Sequence, residues 1–102
     1  MLEPQTGKLV AILRLSGTDM ERKNAAEQLS GYDWRSQPHI VTALVEAAKN
    51  DPAPMVRVSC VRALGKMKVN TEPALQTVKM LKNDYDAQVR SEVDTALTMM
   101  SH

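Results

Sequence analysis

The chain has no phenylalanine, and aromatic residues make up only 3% of its 102 positions. A core built without Phe falls to Leu, Val, Ala, Ile and Met, which suits closely packed helices. Cysteine is nearly absent as well. With Cys60 alone, an internal disulfide and a cysteine-based zinc site are both excluded, as befits a reducing compartment. No apolar run approaches the ~18 residues of a helical membrane span. The opening Met1-Leu2-Glu3-Pro4-Gln5 has neither the basic nor the apolar region of a signal peptide, so a cytoplasmic location is expected. Charge of one sign is missing too. The net charge is +1 with acidic and basic residues interspersed, so nothing demands a polyanionic partner.

Catalytic groupings are equally scarce. The four glycines are scattered among turns and helix ends and form no phosphate-binding loop. His39 stands beside Pro38, and His102 is the terminal residue. Neither has a companion at metal-ligand spacing, so both are read as exposed side chains. Cys60 falls on an apolar helix face with no histidine to act as a base, which makes it a small buried residue and not a nucleophile. Asp84 and Asp86 flank Tyr85 in a turn and read as capping residues. No catalytic, cofactor-binding or metal-binding residue is therefore assigned, and no enzymatic activity is expected.

What is present is a helical pattern. Apolar residues make up 43% of the chain, a folding composition, and the length allows one domain spanning residues 1–102. Pro4 opposes an early helix, so residues 1–6 read as a leader. Leu9, Val10, Ile12, Leu13 and Leu15 then mark a short helix. Thr18 or Asp19 caps the next, through Ala25, Ala26 and Leu29, which Ser30-Gly31 ends with Gly31 in the left-handed conformation. Pro38 opens a helix carrying Ile40, Val41, Leu44, Val45 and Ala48 at helical spacing. Asn50 to Pro54 stops it. From Met55 a helix places Val56, Cys60, Ala63, Leu64 and Met67 on one face, weakened near its end by Gly65. Pro73 starts the helix of Leu75, Val78 and Leu81. Asp86 caps the last, with Val89, Val93, Ala96, Leu97 and Met100 on one face. The reading is six helices in three pairs, with no strand pattern.

The pairs are copies of one another. Arg22, Arg57 and Arg90 lie 35 and 33 residues apart, and each is followed seven residues later by Leu29, Leu64 or Leu97. Pro38 and Pro73 each follow an arginine by 16 residues, and Lys49-Asn50-Asp51 is echoed by Lys82-Asn83-Asp84. Self-similarity at this period marks a helical solenoid.

These residues resemble HEAT repeats, specifically the short HEAT-like class named after phycobilisome lyases, whose pattern is an Asp-containing turn, then Val-Arg, then Ala-Leu-Gly. The middle repeat has Asp51, Val56-Arg57 and Ala63-Leu64-Gly65. The last has Asp84, Val89-Arg90 and Ala96-Leu97, with Thr98 in place of Gly. The first is more degenerate, with Glu21-Arg22 and Gln28-Leu29-Ser30. The resemblance implies an all-α, right-handed α-solenoid of three helix-turn-helix repeats, at about 8–31, 38–67 and 72–100. It implies a structural ladder in which Asp51 and Asp84 bond to Arg57 and Arg90 or to nearby backbone, with Arg22 as the first member. An anionic ligand on these arginines is the competing reading.

The resemblance also places the second helix of each pair on the concave side. At 100° per residue, the side opposite the core face carries Val58, Arg62 and Lys66 in the middle repeat. The matching positions are Lys23 and Glu27 in the first repeat and Ser91, Thr95 and Met99 in the third. This mixed stripe is the candidate partner-binding face. It suits another protein better than nucleic acid, which calls for several Lys or Arg along one track. Tyr32 and Trp34 form either a recognition patch or a cover over the joint between repeats one and two. Asp94 and Ser91 read as a terminal cap, whereas Met99 and Met100 suggest that something covers that end. The function expected is a non-enzymatic protein–protein interaction scaffold or adaptor, standing alone or as a segment of a larger protein. The alternatives are a bilin lyase-related protein and a DNA-binding HEAT-like protein.

Overall fold

A computed structural model describes residues 4–101. Those residues form six helices: α1 (Pro4–Leu15), α2 (Asp19–Leu29), α3 (His39–Asn50), α4 (Pro54–Lys66), α5 (Glu72–Met80) and α6 (Ala87–Met100), with a single 3-10 turn at Leu81–Asn83. There is no strand among the described residues.

Local chemistry accounts for most of the helix ends. The Thr18 hydroxyl accepts the Glu21 N–H at the start of α2, and the Asp86 carboxylate accepts the N–H groups of Gln88 and Val89 at the start of α6. Pro54 and Pro73 sit in the first turns of α4 and α5, where a missing N–H costs nothing. The same rule corrects the expectation for Pro4. Instead of opposing a helix it begins α1, because a first-turn proline has no intrahelical bond to break. Gln5 and Thr6 of the expected leader also belong to α1, and its first three residues lie outside the described residues. Gly31 is not left-handed either: no glycine has a positive φ among the described residues. The left-handed residue is Lys68 (φ 56°), just beyond α4. There the Val69 N–H reaches the Leu64 carbonyl at 3.1 Å and the Lys68 N–H reaches Gly65 at 3.0 Å, a Schellman closure with lysine in glycine's usual place.

The helices stack as two layers. α1, α3 and α5 form one, with α3 touching both neighbours; α2, α4 and α6 form the other, with α4 between α2 and α6. Each pair (α1–α2, α3–α4, α5–α6) also packs within itself. One core runs through all three pairs, with Leu13, Leu29, Ile40, Leu44, Leu64, Val78, Val93 and Met100 fully buried. This is an all-α helical-repeat solenoid, each pair burying its apolar face jointly with the next. Leu97, expected as a core filler, is only half-buried and packs against the core from its edge.

Gly65 has a packing role that propensity does not reveal. A Cβ there would lie 3.1 Å from the Ala96 Cα and 3.6 Å from the Met99 Sδ. Glycine in α4 opposite alanine in α6 sets how closely the two helices approach. The cost in helix propensity is the condition of that contact.

Candidate functional site

The repeated arginines are fixed by a recurring geometry. Arg22 grips Asp51 of the following pair with two parallel bonds, Nε to Oδ2 at 2.8 Å and Nη2 to Oδ1 at 3.1 Å. Its Nη1 donates to the Ser16 carbonyl of its own turn at 2.9 Å. Arg57 does the same one repeat later: Nε and Nη2 to Asp84 at 3.0 and 2.9 Å, and Nη1 to the Asp51 carbonyl at 2.9 Å. Each aspartate also accepts a backbone N–H two residues on, from Ala53 and Asp86 respectively. The carboxylate pairing is thus displaced by one repeat from the expected one. Arg57 holds the carboxylate of Asp84, not of Asp51, and reaches Asp51 only through its backbone. The reason is reach: a second-helix arginine lies over its own turn carbonyl, and its fork projects toward the next pair.

These pairs are largely shielded from water, with side-chain exposures of 12% and 6% for Arg22–Asp51 and 12% and 8% for Arg57–Asp84. Hydrogen bonding to Asp51 raises the Arg22 guanidinium pKa against a desolvation effect. Burial pushes the Asp84 carboxyl upward, but the Arg57 bonds, the Asp86 N–H and the charges of Arg57 and Arg90 outweigh it and hold the group below the usual carboxylate range. Such two-pronged pairs fix orientation as well as charge. Arg22 and Arg57 are committed within the fold and have no fork left for an anionic ligand.

The stripe expected to bind a partner is divided by the structure. Arg62, Lys66, Glu27, Ser91, Thr95 and Met99 are exposed, and Lys23 is half-exposed. Val58 is not part of it: the side chain is 4% exposed. Because α4 lies between α2 and α6 and also packs on α3, three of its sides are covered. Val58 shares the α6-facing stripe with Val61 and Gly65. The exposed edge of α4 is narrower and runs through Met55, Arg62 and Lys66, seven and four residues apart.

That edge carries its own ion pairs. Arg62 donates to Glu92 of α6 at 2.6 and 2.9 Å, a contact that raises the arginine's pKa. Lys23 pairs with Glu27 at 3.1 Å. Between α2 and α4 lies a groove of about 290 Å³ lined by Glu27, Ser30, Ser59, Arg62, Ala63 and Lys66. Met99 turns partly inward over Gly65 and Met100 is fully buried, so the two methionines do not leave the end of α6 bare. Asp94, Ser91 and Thr98 are exposed there, and the two hydroxyls bond to carbonyls of their own helix.

Other candidates resolve simply. Cys60 is fully buried, and burial together with the Asp51 charge pushes its thiol up, away from thiolate chemistry. His39 is half-buried, not exposed as expected; it sits at the first turn of α3, and its buried Nε2 has no hydrogen-bond partner among the described residues. His102 lies outside the described residues. Trp34 covers a joint: its indole N–H donates to the Met67 carbonyl at 3.0 Å, and it packs with Tyr32 against the core. Arg35 stacks on the indole at 4.5 Å. Sequence reasoning missed a second, apolar cleft of about 330 Å³ beside this ring, between α3 and α5, with walls that include Pro38, Val41, Val45 and Pro73. The only signal for it was the pairing of Pro38 with Pro73. No group of three or more metal-ligating side chains occurs among the described residues, and no helix among them is long and apolar enough to cross a membrane.

Two layers of paired helices, tied by arginine–aspartate contacts from each turn to the next, define a helical-repeat protein with a surface stripe of mixed charge. The family described as HEAT repeats matches residues 6–98, and the chain belongs to it. The match is to HEAT repeats at large and does not single out the phycobilisome-lyase class. No curated protein matches the chain. HEAT repeats commonly mediate protein–protein interaction.

Proposed function

We propose that this chain is a non-enzymatic interaction module, an adaptor or one segment of a larger scaffold, and that it receives a protein partner across the exposed edges of α2, α4 and α6. The observation carrying this reading is the contrast between what repeats and what does not. Arg22 and Arg57, with Asp51 and Asp84, are used up inside the fold. Glu27, Arg62 and Thr95 stand at one equivalent position in the three repeats, exposed each time, with an acid, a base and a hydroxyl in turn. Packing does not explain that variation, and a partner reading three neighbouring helices would. The groove between α2 and α4, walled by Glu27 and Arg62, gives that partner a place to insert a side chain. The mixture of signs favours a protein surface over a phosphate backbone.

A photo-crosslinking residue at Lys66 or Thr95, compared with one at Lys79 on α5, tests this in source lysate. The expected result is a discrete protein adduct from positions 66 and 95 that is absent from 79 and lost on Arg62→Glu. Equal labelling from both layers, or nucleic acid in place of protein, would overturn the proposal.

A further inference from the structure

Where the first helix of each pair runs into its turn, the edge of the fold changes charge from one interval to the next. Between α1 and α3, Arg14 donates to Glu46 at 2.8 Å. The two side chains wall a hollow of about 410 Å³ that Ala47 also lines. Between α3 and α5 the same two positions hold Lys49 and Lys79. Lys49 stands eight residues before Arg57, as Arg14 does before Arg22, and Lys79 stands five before Asp84, as Glu46 does before Asp51. An ion pair is thus replaced by two exposed lysines, neither of which forms an ion pair among the described residues. Lys82 adds a third charge and meets Asp94 only loosely, at 3.7 Å. A cation near a helix C-terminus is ordinary, but the helix dipole does not call for a second one where the preceding interval has an acid. The same edge is apolar at its tips. Met80 stands in the place of Ala47 and is exposed, so the edge projects where the first interval is hollow. Tyr85, in the turn that follows, is fully exposed. Its equivalent, Pro52, is exposed even with the next pair stacked beside it, so this position looks out of the stack.

We infer that this edge docks on an anionic phospholipid membrane, with Lys49, Lys79 and Lys82 on the headgroups and Met80 and Tyr85 at the headgroup boundary. Charge and shape together select this occupant. Three ammonium groups with one loose carboxylate among them fit a plane of fixed negative charge, which attracts each lysine. Lysine stems are long and flexible, so the charge can follow a fluid headgroup. A methionine and a tyrosine on a projecting edge suit the interface, where an amphipathic ring keeps one side apolar and one side wet. An acidic protein segment would find better purchase in a hollow such as the one beside Arg14 and Glu46, and Met80 takes up that place here. Three lysines supply a weak and reversible attachment, not an anchor. The surface goes beyond the function proposed above and shares no residue with the stripe on α2, α4 and α6, so either can fail alone.

The test sediments the full chain with vesicles of phosphatidylcholine alone or of phosphatidylcholine with about one-third phosphatidylserine. Binding should require phosphatidylserine and vanish at about 0.5 M salt. Lys49→Gln with Lys79→Gln should weaken it by about tenfold or more, and Tyr85→Ser should weaken it severalfold. Lys8→Gln with Lys68→Gln removes the same charge toward the opposite edge and should change binding by less than about twofold. All four lysines are exposed, so the two double variants leave the core untouched. Equal loss in both double variants, equal binding to the two kinds of vesicle, or no sedimentation with either would overturn the inference. So would capture of polyglutamate in preference to vesicles, which would make the occupant an acidic protein segment.

Discussion

α4 and α6 are copies of one helix, and the same offset sets Val58, Val61 and Gly65 of α4 against Ser91, Asp94 and Thr98 of α6. In α4 all three are buried; in α6 all three are exposed. The repeat motif itself (Arg57 with Leu64, Arg90 with Leu97) is common to both helices. The difference lies in what covers them. α4 has a neighbour on each side within its layer, whereas among the described residues α6 has α4 on one side only. The residues that differ between the two copies therefore follow what packs against each helix in this structure, and those that persist belong to the repeat's own architecture.

Exchanging the two environments should break the comparison most sharply. Val61→Asp places a carboxylate at a fully buried site and should cost more than about 4 kcal/mol, enough to unfold a chain of this size. The reverse change, Asp94→Val, should move unfolding by less than about 0.5 kcal/mol, since Asp94 is exposed and only loosely paired with Lys82 at 3.7 Å. Chemical denaturation of both variants checks this. A similar loss in each would mean that the α6 face is covered.

Asp84→Asn should come next, at about 3 kcal/mol, because it leaves a shielded Arg57 without its carboxylate. Its pH dependence follows from the lowered pKa of Asp84. The folded state prefers the ionised form, so the stabilisation is complete above the ordinary carboxylate range and is lost as pH falls through the lowered folded value. The gap between the parent chain and Asp84→Asn should hold steady near neutrality and narrow in acid, as read from denaturation midpoints along a pH series.

Gly65→Val is expected to have a smaller effect. The branched side chain would press on the Ala96 backbone and should cost about 2 kcal/mol. Thr98→Val at the equivalent, exposed position should stay within about 0.5 kcal/mol. Thermal melts of the two variants side by side give the answer.

The helices, their order and most of their caps were legible in the sequence because periodicity and capping are local. Thr18, Pro54, Pro73 and Asp86 act within a few residues of where they stand. What was not legible depends on neighbours far away in the chain. The Arg57 fork reaches Asp84 because stacking brings the next turn alongside, which spacing alone does not reveal. Val58 lies near the solvent side of an isolated helical wheel, yet it is covered because α4 is flanked on both sides. Gly65 looks like a weak point in a helix until Ala96 is set against it. For the candidate binding stripe, the sequence located the helix edge to within about one residue's rotation and misjudged only how much of it the layer encloses.

The account turns on the arginine–aspartate contact joining one repeat to the next. A double-mutant cycle measures it directly, using Arg57→Ala and Asp84→Ala alone and together, beside a second cycle pairing Arg57→Ala with Asp51→Ala. The predicted coupling is about 2 kcal/mol for Arg57 with Asp84 and below about 0.5 kcal/mol for Arg57 with Asp51. Strong coupling within the repeat and none to Asp84 would contradict it.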